Sequence, residues 1–78
     1  MSYLRQFTAI IEKDDDLYVA LCPELDIASQ GESITEARDN LAEAIELFFE
    51  VASPSEISER MHSEIFVTQV GVPVAAAT

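Results

Sequence analysis

The stretch Cys22–Ala37, CPELDIASQGESITEA, decides the fold. Pro23 has no N–H to offer a strand ladder, so any strand before it ends at Cys22. Glu24–Asp26 reads as a turn, Ile27–Gln30 as a short strand, and Gly31 as the residue that releases it. Ser33-Ile34-Thr35-Glu36 is a capping box: the Ser33 hydroxyl can accept from the N–H of Glu36 while the Glu36 carboxylate reaches back to the N–H of Ser33. A strand, a turn, a second strand and a helix start thus fall within one short run.

Working outward, Leu17–Cys22 (LYVALC) is apolar on both faces, as is the run Tyr3–Glu12, in which Phe7, Ala9 and Ile11 alternate with Leu4, Thr8 and Ile10. Lys13-Asp14-Asp15-Asp16 breaks the two, and together they predict a β-hairpin. On the other side, Ile34, Ala37, Leu41, Ala44, Ile45, Phe48 and Ala52 recur at spacings of three and four, which predicts a helix from Ile34 to about Ala52 with one core-facing stripe. Leu47, Phe49 and Val51 lie off that stripe and give its last turns a second apolar side. Ser53-Pro54-Ser55 stops the helix, and Ser55 is the expected cap of a short helix over Glu56–His62. Ile65–Val70 (IFVTQV) reads as a fourth strand closed by Gly71 and Pro73.

The expected architecture is α+β: a four-stranded sheet of order 3-2-1-4 with one main helix on one face, strands one to three forming an antiparallel meander. Residues 1–70 form one domain and 71–78 a C-terminal tail. The chain has 78 residues, a size at which about 60% of the unfolded surface is buried, so oligomerisation is a natural source of further burial. Leu47 and Phe49 are the candidate oligomer-interface residues, with the sheet edges.

Four Lys/Arg against fifteen Asp/Glu leave a net charge of −11. Such a balance opposes direct nucleic-acid binding, which needs cations to displace counterions, and suits a basic protein partner. Cys22 is the single cysteine, which excludes an intramolecular disulfide and a cysteine zinc set. The run MSYLRQF lacks a signal-peptide pattern, and no apolar run approaches the roughly 20 residues of a membrane span, so a cytoplasmic protein is expected.

The residues Tyr18-Val19, Pro23-Glu24-Leu25, Gln30-Gly31-Glu32-Ser33, Glu36-Ala37 and Asn40-Leu41-Ala42-Glu43-Ala44-Ile45-Glu46-Leu47 carry a family resemblance. Over Phe7–Glu50 the chain resembles the HicB-type antitoxin domain of toxin–antitoxin systems. The resemblance implies a partial RNase H-like fold and a partner: a small basic HicA-type toxin that cleaves mRNA and whose active surface the antitoxin covers. The chain departs from that pattern at Leu17, where the family usually has glycine, and at Asp26-Ile27, where it often has a Pro-Gly pair. Nothing after Val70 reads as the ribbon-helix-helix or helix-turn-helix that many members carry, so self-repression through operator DNA is not expected.

The candidate partner-binding residues are Asp14, Asp15, Asp16, Glu24, Asp26 and Glu32, acidic groups on turns, with the exposed helix carboxylates Glu36, Asp39, Glu43 and Glu46 as competitors. No cofactor, metal or catalytic residue is assigned. The triple aspartate lacks the spacing of a calcium loop. The carboxylates of a two-metal nuclease should converge from the first strand, the helix and the fourth strand, yet the fourth strand has none. Cys22 with His62 as base lacks an orienting group. Gly31 with Ser33 is a weak phosphate cradle ringed by Glu24, Asp26, Glu32 and Glu36. The expectation is therefore a non-enzymatic, homodimeric or larger antitoxin-like binding module. The alternatives are an orphan structural or regulatory oligomer of the same fold and a metal-dependent nuclease.

Overall fold

Three strands, β1 (Ile10–Asp14), β2 (Leu17–Cys22) and β3 (Ile27–Gly31), form one antiparallel sheet in the order β1-β2-β3. The structure is a computed structural model and describes residues 4–75. Tyr3, the expected start of the first strand, and the last residues of the 71–78 tail lie outside the described residues. The sheet is followed by helices α1 (Ile34–Val51) and α2 (Pro54–Arg60), so the chain is α+β.

Both turns of the meander use aspartate in a left-handed conformation. The pair Asp14↔Leu17 closes the first hairpin and leaves Asp15 and Asp16 as the turn, with Asp15 at φ 55°. The pair Cys22↔Ile27 closes the second and leaves Pro23–Asp26, with Asp26 at φ 56°. Aspartate tolerates this region because its short polar side chain bonds locally, though at some strain relative to glycine.

The sheet meets α1 at Gly31. A Cβ built there would lie 2.5 Å from the backbone N of Ala37 and 2.8 Å from the carbonyl carbon of Glu36, so only glycine lets β3 run this close to the first turn of the helix. That turn is capped as expected at one end: Ser33 Oγ accepts from the Glu36 N–H at 3.0 Å. The Glu36 carboxylate does not take the Ser33 N–H but that of Glu32, at 3.2 Å. Along α1, Ala37 and Leu41 are buried and Ala44, Ile45 and Phe48 half-buried. Ile34, expected on the same stripe, is exposed because the sheet ends at Gly31 and nothing lies over the first helical residue.

The core is small. Ala20, Cys22, Leu25, Ala37 and Leu41 are its buried members, with Phe7, Ile11, Tyr18, Ile27, Ile45, Phe48, Phe49 and Met61 packed around them. One sheet face is covered by α1. The other carries Ile10, Val19, Leu21 and Ala28 and has no helix over it, and Ile10 and Leu21 are both exposed.

Four expectations are corrected. The first strand begins at Ile10, not at Tyr3: the ladder with β2 ends at Ile10↔Leu21, one position short of Cys22, and residues 4–9 run on without a ladder partner. The cap of α2 is Ser53, not Ser55. Ser53 Oγ accepts from the Glu56 N–H and Glu56 Oε1 accepts from the Ser53 N–H, a complete capping box with Pro54 in the first turn. The second helix therefore spans Pro54–Arg60 rather than Glu56–His62. Finally, Ile65–Val70 forms no strand: among the described residues the sheet is three-stranded. These residues continue in an arm away from the body, where Phe66 is 86% and Val70 83% exposed.

Candidate functional site

The register of the sheet divides the acidic turn residues between its two ends. Asp14, Asp15 and Asp16 lie at the β1–β2 hairpin, next to the end at which Tyr18 pairs with Gly31 and Glu32 follows. Glu24 and Asp26 lie in the β2–β3 turn at the opposite end, a full β2 length away, which for a six-residue strand is roughly 20 Å. The six residues therefore do not form one surface.

Nor are they equivalent. Asp14, Asp15, Asp16, Asp26 and Glu32 are exposed, whereas Glu24 is half-buried and turned inward. Its carboxylate accepts from the Thr8 N–H (3.0 and 3.2 Å), from the Thr8 hydroxyl (2.8 Å) and from the Cys22 thiol (3.5 Å). Burial works to raise its pKa, but the Thr8 hydroxyl and backbone donors outweigh it and hold the group below the ordinary glutamate value. Glu24 is thus a structural clasp that ties the unpaired 4–9 segment to the end of the sheet. Its backbone carbonyl also accepts from the His62 N–H at 2.7 Å.

This arrangement brings Cys22 and the chain at His62 to the same residue. Burial pushes the Cys22 thiol above its usual range, and the Glu24 carboxylate beside it adds to the effect. A thiolate is disfavoured there. The Gly31–Ser33 segment is equally committed: Ser33 Oγ is engaged as a cap, and a carboxylate of the chain itself takes the Glu32 N–H. Among the described residues, no group of three or more His, Cys, Asp or Glu is placed to hold a metal ion.

A continuous acidic surface does exist, along α1. Glu36, Asp39, Glu43, Glu46 and Glu50 recur at spacings of three and four and are all exposed, on the side of the helix away from Ala37 and Leu41. The ridge is roughly 20 Å long at the helical rise. Among the described residues the one ion pair is Arg38–Asp39, at 3.7 Å and exposed, which neutralises little. The last turn of α1 holds no basic residue. The ridge thus places like charges at i, i+4 (Asp39/Glu43, Glu46/Glu50) and acids near the negative end of the helix dipole, both unfavourable to the helix. The sequence already marked Glu36–Glu46 as competitors; Glu50, not singled out, continues their spacing.

Beside this ridge runs a groove of about 1040 Å³ between the 4–9 segment and α1, with Leu4, Phe7, Leu41, Ile45 and Phe49 among its lining. Phe49 packs on Phe7, ring centroids 5.8 Å apart, and on Phe48 at 5.4 Å. It therefore belongs to the wall of this groove, while Leu47 is 58% exposed on another side of the helix.

A contact the sequence did not announce locks the far end. Arg60 of α2 donates to the Leu25 carbonyl from Nε (3.2 Å) and Nη2 (3.0 Å), and to the Asp26 carbonyl at 3.1 Å. Its guanidinium lies 5.4 Å from the Phe48 ring centroid. No helix among the described residues is long and apolar enough to cross a membrane. The chain matches no protein-family model, and no similar curated protein or solved structure was found.

Proposed function

We propose that the chain is an antitoxin-like, non-enzymatic binding module that neutralises a small basic HicA-type toxin by covering its RNA-cleaving surface. The single observation that carries this reading is the ridge Glu36–Asp39–Glu43–Glu46–Glu50. It is exposed, nearly unneutralised among the described residues and unfavourable to its own helix. Fixed carboxylates along a rigid rod offer a surface that binds RNA phosphates a mimic of themselves, and they steer a cationic partner over long range. The resemblance over Phe7–Glu50 supports the same reading, and with it a partial RNase H-like sheet completed to four strands by Ile65–Val70, in a homodimer.

The test is RNA cleavage by a HicA-type ribonuclease with increasing amounts of this chain. Stoichiometric inhibition that fades as salt rises supports occlusion by the acidic ridge. Undiminished cleavage at large excess refutes it.

A second reading, an orphan structural or regulatory oligomer of the same fold, is favoured by the apolar groove and the exposed apolar arm, which are features of self-association rather than of toxin capture. A dimer that captures no basic partner separates it from the first.

A further inference from the structure

We propose that the 65–74 arm is exchanged between two copies of this chain, its Ile65–Val70 run adding a strand along the free edge of the other copy's 4–14 segment. The inference rests on the four-strand reading of the sheet and says which molecule supplies the fourth strand.

The donor is the arm. After His62 is pinned to Glu24, the chain runs on without helix or ladder, and Phe66, Val67, Val70, Val72 and Val74 are all exposed. The molecule measures 54 × 28 × 20 Å, with a radius of gyration of 15.6 Å. A folded chain of this length packed upon itself has a radius near ~11.5 Å. An arm of β-branched and aromatic residues held in water is the composition of a strand without its sheet.

The acceptor lies on the same chain. β1 pairs with β2 on one side only, and its other edge, continued by 4–9, presents unpaired backbone groups. The groove of about 1040 Å³ lies between 4–9 and α1 and is open to receive side chains from a strand laid on that edge. Main-chain pairing supplies affinity and the groove supplies pockets for alternate side chains, as in other strand-addition complexes.

Charge identifies the occupant as a second copy. Residues 65–74 (IFVTQVGVPV) carry no charge in a molecule of net charge −11, and the 4–14 edge, with Arg5 and Lys13 against Glu12 and Asp14, carries no net charge. The arm is thus a segment that two such acidic molecules can bring together without opposing their carboxylates. Reciprocal exchange is two-fold symmetric, closes on itself and pairs the β1 edges of both copies at once.

The experiment combines light scattering of the full chain with isotope-filtered NOEs on a mixture of labelled and unlabelled protein, together with amide exchange over 65–70. The expected result is a dimer, intermolecular NOEs from Phe66 to residues of the groove such as Phe7, Ile45 or Phe49, and protected arm amides. Phe66→Asp should give a monomer that keeps the helical circular dichroism of α1, because Phe66 makes no part of the core. A monomer with protected arm amides overturns the exchange but leaves the four-stranded sheet, closed within one chain. Unprotected arm amides, in a monomer or a dimer, overturn both.

Discussion

Glu24 holds Thr8 with both oxygens of its carboxylate, taking the Thr8 N–H and hydroxyl at 2.8–3.2 Å. The bond holds residues 4–9 where the ladder, which ends at Ile10↔Leu21, no longer does, and so it fixes where the N-terminal segment lies and gives the groove over α1 its second wall. Glu24→Gln keeps the shape but gives up the charged acceptor. A loss of roughly 1–3 kcal/mol is expected, with the 4–9 amides exchanging faster while those of α1 keep their relative protection.

The same clasp sets a pH dependence. The folded pKa of Glu24 lies below its ordinary value of 4.5. A carboxylate with a depressed folded pKa contributes stability that is fully present above the unfolded pKa and is lost as pH falls through the folded one. Stability of the native chain should therefore decline as pH drops below about 4.5, and that decline should be shallower in Glu24→Gln. Thermal melts of both proteins between neutral and acid pH measure it.

Gly31→Ala tests the close approach of β3 to α1. The new methyl meets the Ala37 nitrogen at 2.5 Å, and backbone on both sides has to shift. The expected cost is about 1–3 kcal/mol, which for a domain of this size lowers Tm by roughly 4–8 °C for each kcal/mol. An unchanged Tm contradicts the packing described here.

Arg60→Lys retains the charge but not the fork that grips two carbonyls while lying over Phe48. It should free α2 and the chain at Met61–His62, seen as faster tryptic cleavage after residue 60 and as lost protection of the His62 amide. Hydrogen bonds to charged donors contribute about 1.5–3 kcal/mol, so the effect on Tm should be measurable.

The acidic ridge predicts opposite signs for stability and binding. Glu43→Lys with Glu50→Lys relieves like-charge pairs, about 0.2–0.5 kcal/mol each, and places a cation in the last turn of α1. The double variant should melt at or above the native temperature yet lose a cationic partner. Added salt should raise the Tm of the native chain by screening the same repulsion.

Features encoded by neighbours in sequence were legible before the fold was known. The Ser33 cap, the break between the first two strands, the stop at Pro23 and the extent of α1 all follow from residues within a few positions of one another, although Lys13 and Asp14, read as part of that break, belong to β1. What was not legible depends on distance in the chain. Residues 4–9 have strand composition, yet a strand needs a partner, and β2 reaches no farther than the position opposite Ala9. Glu24 reads as one acidic turn residue among six, and only the arrival of Thr8 from across the fold turns it inward. Arg60 carries no local signal for its grip on Leu25. Phe49 was read with Leu47 as one apolar side, whereas two residues apart on a helix point nearly opposite ways, and Phe7 claims one of them. For the acidic surface, the sequence names the turn residues with the helix carboxylates as competitors and does not choose between them; the sheet register places the two turns at opposite ends of the sheet.

The most direct test of the account is capture from the host of the chain: native protein and the Glu43→Lys/Glu50→Lys variant, each immobilised and washed at low and high salt. The account predicts a stoichiometric small basic protein on the native chain at low salt, released at high salt and cleaving RNA once free, and absent from the variant. Absence of any such partner from the native chain at low salt, or equal capture by the variant, contradicts it.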